Sequence, residues 1–176
     1  DGRVLRWRIE HAQHVHRIGV PRFAKLGVIA SMQGVHASSD GPWVPKRLGE
    51  PRAGERTYVW RSLIDSGALV SNGTDVPVED IDPLASFRAS VTREMVNGQR
   101  FHPEQNMTRQ EALASYTWNN AYAGFEEDLK GSLAPGKLAD FVVLDRDILR
   151  VPDAELASAQ VLHTVLAGRV VYSRVP

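Results

Sequence analysis

Arg8-Ile9-Glu10-His11-Ala12-Gln13 is the stretch on which the fold turns. The chain entering it alternates, with Leu5, Trp7 and Ile9 set against Val4, Arg6 and Arg8. Alternation over this length is a strand pattern, so a strand is predicted over Arg3 to Glu10 with His11 at its end. Two later runs finish in the same way. Val28-Ile29-Ala30-Ser31-Met32 is a short apolar run suited to a buried parallel strand, and it leads through Gln33 to His36. Leu69-Val70-Ser71 leads through Asn72-Gly73-Thr74 to Asp75. In parallel α/β folds all strands end on one face, and sites gather there. The spacing of His11, His36 and Asp75 is that of successive β/α units, not the i,i+4 spacing of one helix.

The intervening sequence supports this class. A weak helical pattern runs from about Arg17 to Leu26, contains Pro21 and is closed by Gly27. Residues 36–56, rich in Gly, Pro, Ser and Arg, read as a long functional loop. Tyr58 to Ser66 is a helix candidate with Gly67 as its stop, and Asp82-Pro83 opens another helix, from Leu84 to about Val96. Thr108-Arg109-Gln110-Glu111 is a capping box that starts a helix running to about Ala123. After Gly124 the chain turns β-rich. A strand is expected over Ala139 to Asp145, and a hairpin over Val161 to Val171 with a tight Ala-Gly-Arg turn. The expected organisation is an α/β body over residues 1–125 and a β-rich segment over residues 126–176.

Bulk properties narrow the function classes. With 176 residues and 43% hydrophobic content the chain can bury one sizeable core. Its 21 basic and 21 acidic residues cancel and are well mixed, so no nucleic-acid partner is expected. No apolar stretch reaches the roughly 20 residues needed to span a bilayer, so no membrane partner is expected. A cytoplasmic location is the default. The absence of cysteine excludes thiolate metal sites and thiol nucleophiles. The chain opens Asp1-Gly2-Arg3 without an initiator methionine, and the expectation is a piece of a longer protein.

Neutral imidazole is a good zinc ligand, and a carboxylate beside a metal-activated water is a natural proton acceptor. Taken singly, each residue has an ordinary explanation. A histidine after a strand is more often a hydrogen-bonded loop residue, and Asp75 could cap its own turn. No nucleophile elbow, P-loop or dinucleotide fingerprint supports rival chemistry.

Longer motifs carry a resemblance. Besides Arg8–Gln13 they are Arg22-Phe23-Ala24-Lys25-Leu26-Gly27 running on to Gln33, Tyr58-Val59-Trp60-Arg61-Ser62-Leu63, and Gly73-Thr74-Asp75-Val76-Pro77-Val78. Glu104-Gln105, Thr108 to Ala112, Phe125-Glu126-Glu127-Asp128 and Gly131 to Asp140 follow. In these the chain resembles the carboxyl-terminal half of the amidohydrolase superfamily, in particular amidohydrolase family 3, which includes N-substituted formamide deformylases. The resemblance implies strands 5–8 of a distorted TIM barrel, followed by part of a small β-sandwich domain. It implies His11 and His36 as metal ligands from strands 5 and 6, and Asp75 of strand 8 as both ligand and catalytic proton carrier. The metal implied is divalent, zinc first, with one or two ions in the complete enzyme. The reaction implied is hydrolysis of an amide or formamide C–N bond in a small molecule.

Departures from the family pattern set further expectations. Gly34 stands where the family usually has Pro, so the approach to His36 is expected to be mobile. Thr74 replaces the commoner Ser. Strand 7 must be very short, near Arg56-Thr57. The family's His-X-His falls outside this sequence, and His14-Val15-His16 sits in the wrong place to replace it. Gln13 and Trp43 are candidate substrate contacts. Arg47, Arg52, Arg56 and Arg61 read as a solvated basic cluster. Alone, the chain is expected to be inactive and to need an amino-terminal half of the same protein or a partner chain. The rival reading is a non-catalytic half-barrel or assembly module, whose unpaired edges on strands 5 and 8 would favour pairing or a homo-oligomer.

Overall fold

Three short parallel strands organise the first part of the computed structural model, which describes residues 2–174. They are β1 (Arg8–Glu10), β2 (Ile29–Gln33) and β3 (Val70–Gly73), side by side in chain order. Arg8 lies opposite Ile29, and Ala30 opposite Val70. β2 is central and buried, as its continuous apolar run requires, whereas every residue of β1 is exposed.

Helices pack around this sheet. α1 (Gly2–Leu5) precedes β1, and α2 (Val20–Leu26) connects β1 to β2. α3 (Gly34–Asp40), α4 (Val44–Leu48), α5 (Glu50–Arg56) and α6 (Trp60–Asp65) lie between β2 and β3. After β3 come α7 (Pro83–Thr92), α8 (Arg109–Tyr116) and α9 (Trp118–Ala123). A second, antiparallel sheet follows: β4 (Phe141–Leu144), β5 (Val161–Leu166) and β6 (Arg169–Ser173), with the short α10 (Asp153–Leu156) between β4 and β5. The β5–β6 turn holds Ala167 and Gly168 at φ 49° and 75°, the left-handed pair that a two-residue hairpin turn needs.

The core lies between the first sheet and its helices. Trp60, Leu63, Ala30 and Met32 are fully buried, with Tyr58, Phe87 and Phe101 packed around them. Ile148 and Leu156 join this core, and Arg109 donates to the Ile148 carbonyl and to Asp153, fixing the segment after β4 against α8. Arg93 is buried among Trp60 and Phe101. It donates to the Phe101 and Tyr58 carbonyls, and burial pushes its guanidinium down to about 9.

Several expectations are corrected. The first strand does not begin at Arg3. Residues 2–5 are helical and Arg6 takes φ 48°, which breaks the extended run, so only Arg8–Glu10 pairs. Residues 36–56 are three helices, not a long loop. Pro45 and Pro51 sit in the first turns of α4 and α5, where the missing amide proton costs nothing and the fixed φ suits the helix. No strand 7 forms among the described residues. Thr57 makes only an isolated antiparallel bridge to His14, and β2 pairs directly with β3. The helix beginning at Thr108 breaks at Thr117 into α8 and α9.

The strand-8 edge is also not bare. Leu69 O accepts from Ala30 on the inner side of β3. The outward carbonyls of Val70 and Asn72 accept instead from the Asn119 and Asn120 side chains of α9, at 2.7 and 2.9 Å. Of the two edges of the parallel sheet, β1 is the one flanked by exposed apolar side chains among the described residues, with Leu5, Trp7 and Ile9 at least half exposed; the second sheet exposes Val142, Leu166, Val170 and Val171 as well. No helix among the described residues is long and apolar enough to cross a membrane.

Candidate metal centre

His11, His36 and Asp75 converge at the carboxyl ends of β1, β2 and β3. Their ligand atoms all lie within 4.8 Å of one another, the one such His/Asp/Glu group among the described residues. His11 directly follows β1 with φ 65°, and Asp75 follows β3 with φ 61°. His36 is the third residue of α3, which starts directly at the end of β2 with Gln33 as its N-cap. His36 is therefore aimed by a helix, not by a strand end. Left-handed backbone is unfavourable for residues with a side chain and is characteristically retained where side-chain direction matters.

The distances suit a shared ion. Asp75 Oδ2 is 3.7 Å from His36 Nε2 and 3.8 Å from His11 Nδ1. Ligand atoms on a tetrahedral zinc stand about 3.4 Å apart, given bonds of roughly 2.0–2.1 Å. The two imidazoles stack with centroids 6.1 Å apart and planes 14° from parallel. His36 is 8% exposed, and its Nε2 is buried without a hydrogen-bond partner. A buried ring nitrogen is normally satisfied, and this one points at the Asp75 carboxylate. Two imidazoles and a carboxylate are a donor set of the zinc type, so the residues fit a divalent metal.

His11 is half exposed, and its Nδ1 also lies 2.9 Å from Gln33 Oε1. The tautomer protonated at Nδ1 donates to Gln33; the other leaves that nitrogen free for a metal, which binds only unprotonated imidazole. With Asp75 counted, the chain offers three ligands, the number a catalytic zinc takes from its protein. With Asp75 engaged as a proton carrier, two remain.

The other predicted residues are placed as follows. Gln13 donates its amide to Asp40 Oδ2 at 2.9 Å and to the Tyr58 hydroxyl, so its polar end is engaged within the protein. Trp43, exposed, caps α4; its backbone amide bonds to Asp40 O and Lys46 lies over its ring. His14 bonds to Thr57, with burial holding its imidazolium below the ordinary range, and His16 Nδ1 accepts from Ile18. Neither belongs to the cluster. Arg61 is not a solvated cation, since it pairs with Asp65 and Glu111. Gly34 is no mobile hinge: it is the first residue of α3, packed against α7, and its amide donates to Asn72 Oδ1 at 2.7 Å.

Sequence reasoning gave no role to Gln33, Ser39, Asp40, Tyr58 and Glu79. Tyr58 and Gln33 stood inside quoted motifs. Ser39 and Asp40 lay in the segment read as loop, with no flanking pattern to mark them.

Parallel strands ending on a His-His-Asp cluster define a class that comparison makes specific. The family model described as "Amidohydrolase family" matches residues 1–172, and the chain belongs to that family. It is 39% identical over 168 residues to "Protein LONG AFTER FAR-RED 3" of Arabidopsis thaliana, covering 95% of this chain and 29% of that protein. It is 32% identical over 167 residues to the N-substituted formamide deformylase of Arthrobacter pascens, covering 95% and 31%. Among solved structures, an uncharacterized metal-dependent hydrolase from Pyrococcus horikoshii OT3 superposes with a TM-score of 0.73 at 33% identity, covering 84% of this chain and 30% of that one. The chain thus spans about three tenths of the length of these relatives.

Proposed function

We propose that this chain supplies the His-His-Asp part of a divalent-metal hydrolase centre that cleaves the C–N bond of a small amide or formamide. The observation that carries the reading is the buried, unpartnered His36 Nε2, 3.7 Å from Asp75 Oδ2 and beside His11. The likeness to a formamide deformylase supports the choice of bond. His11 and His36 would hold the metal through ring nitrogens, with zinc the ion this donor set suits best. A metal held there supplies Lewis acidity, making water acidic near neutral pH and polarising a carbonyl.

Asp75 moves the proton. Its carboxylate is one-third exposed, so it faces both the cluster and open space. It accepts the proton that water loses as the new C–O bond forms. It then delivers that proton to the departing nitrogen as the C–N bond breaks. Gln33 Oε1, 2.9 Å from His11 Nδ1, orients the His11 ring beside Asp75.

With Asp75 carrying the proton this chain supplies two ligands, and further ligands would come from amidohydrolase sequence outside these 176 residues. The apolar flank of β1, with Leu5, Trp7 and Ile9 exposed, is where further amidohydrolase sequence would pack, whether from the same polypeptide or from a partner chain.

The test uses the full-length protein with His11→Ala, His36→Ala and Asp75→Asn. Metal content is measured after dialysis, and turnover on N-substituted formamides and simple amides. The histidine variants are expected to lose both metal and turnover. Asp75→Asn is expected to keep much of its metal and lose at least about 100-fold in turnover, the scale of a lost general base. Full activity in all three variants would falsify the reading.

A further inference from the structure

Helix α3 carries His36, and both of its ends are tied to the segments that carry His11 and Asp75. At the carboxyl end, Asp40 Oδ2 accepts from Gln13 at 2.9 Å and from the Tyr58 hydroxyl at 2.8 Å. Gln13 is two residues beyond His11, and it is bound to Tyr58 twice more. The Gln13 amide donates to the Tyr58 hydroxyl, and the Tyr58 backbone N–H donates to Gln13 O at 2.9 Å. The preceding residue, Ser39, donates to Glu79, four residues beyond Asp75. At the amino end, the Gly34 N–H donates to Asn72, three residues before Asp75, whereas the Gln33 Oε1 contact to His11 Nδ1 at 2.9 Å belongs to the metal-free ring and is no part of the tie.

The backbone shows why such ties are needed. His11, Ala12, Tyr58 and Asp75 all have positive φ, between 36° and 65°. Non-glycine residues stay in that region only where their surroundings over-determine them. His11 is half exposed, so packing does not fix its ring. Tyr58 is 2% exposed and forms the rigid member: Arg93 Nη1 donates to its carbonyl at 2.9 Å. Burial and the Asp40 carboxylate push its hydroxyl well above the usual tyrosine range, so it stays a donor.

We infer that α3 is a positioning bracket, in which the Gln13–Asp40–Tyr58 triad and the Ser39–Glu79 bond set where His11 and Asp75 stand relative to His36. This rests on the metal-centre reading above. It assigns Gln13 to holding the His11 segment, in place of contacting substrate. Partners that orient metal ligands typically contribute about 10- to 100-fold to metal affinity.

The experiment uses Co²⁺ as the probe on the full-length protein. Its affinity is measured by competition with a chelator, alongside the visible spectrum of the bound ion and the urea midpoint of the metal-free protein. The variants are Tyr58→Phe, Gln13→Ala and Ser39→Ala, with His36→Ala as reference. Tyr58→Phe and Gln13→Ala are expected to weaken Co²⁺ binding by about 10- to 100-fold and to change the spectrum.

Three other results would be decisive. If wild type binds Co²⁺, His36→Ala does not, and Tyr58→Phe and Gln13→Ala bind like wild type, the bracket is wrong and the metal centre stands. A rise in KM for Gln13→Ala with Co²⁺ affinity unchanged would return Gln13 to the substrate pocket and overturn the bracket. No Co²⁺ binding by wild type would overturn the metal centre, and the bracket with it.

Discussion

Gly34 is held where a β-carbon would stand 2.2 Å from Ser90 Oγ and 2.5 Å from the Ser86 carbonyl oxygen. Its amide is also spent on Asn72, so the residue cannot move off without loss. Gly34→Ala is expected to cost about 1–3 kcal/mol, the range for overpacking a tight interior. The urea midpoint should fall accordingly. Ser90→Ala in the same background should recover only part of the loss, because the Ser86 contact is backbone. A stability unchanged from wild type would show that α3 can slide away from α7. The same scale explains which site residues could be found from sequence. His11, His36 and Asp75 stand in motifs that follow apolar runs, and their side chains have chemistry of their own. Asp40 has a role only because α3 folds as a helix and brings it to Gln13 and Tyr58, a contact across separate parts of the chain.

The helix ends carry their own energetics, and α8 shows it best. Thr108 accepts from the Glu111 amide, and the Glu111 carboxylate accepts from the Thr108 amide and from Arg61. Thr108→Ala is expected to cost about 1 kcal/mol, read as a lower urea midpoint. Burial pushes the Glu111 carboxyl up, but the bonds from Arg61 and Thr108 outweigh it and hold the group below its ordinary value of 4.5. A carboxylate depressed in the fold stabilises fully above its unfolded pKa and loses that contribution as pH falls through the lower, folded one. The stability gap between wild type and Glu111→Gln should therefore be constant above about pH 5.5 and narrow below pH 4.5. A gap that widens on acidification would contradict the assignment. This capping box was legible because both partners lie within four residues. The helices over 36–56 were not. Proline and glycine density reads as loop, and only the placement of Pro45 and Pro51 in first turns turns the same residues into helix starts. The missing seventh strand has a similar cause: with β2 and β3 already paired, Thr57 has no open edge and reaches only His14.

At the scale of the molecule the two edges of the parallel sheet are unlike, and this predicts how the chain associates. Asn119 and Asn120 occupy the outward carbonyls of β3, a covered edge that offers no template for another strand. Among the described residues β1 has no such cover, and Val4, Leu5, Trp7 and Ile9 cluster along its approach, between 50% and 71% exposed. A formal net charge of zero gives little repulsion to keep copies apart. The 176-residue chain in isolation is therefore expected to self-associate through β1. Ile9→Lys and Trp7→Lys place charges on that flank, a device by which natural edge strands avoid pairing. Sedimentation velocity across a concentration series should show wild type moving to larger species while both variants stay nearer the monomer. Circular dichroism should remain unchanged, because both side chains already face outward. Asn119→Ala acts in the opposite direction: it frees the Val70 carbonyl and should raise association, even in the Ile9→Lys background. Identical sedimentation of all five proteins would mean that neither edge governs assembly. The apolar flank of β1 would then need another explanation than the packing of further amidohydrolase sequence against it.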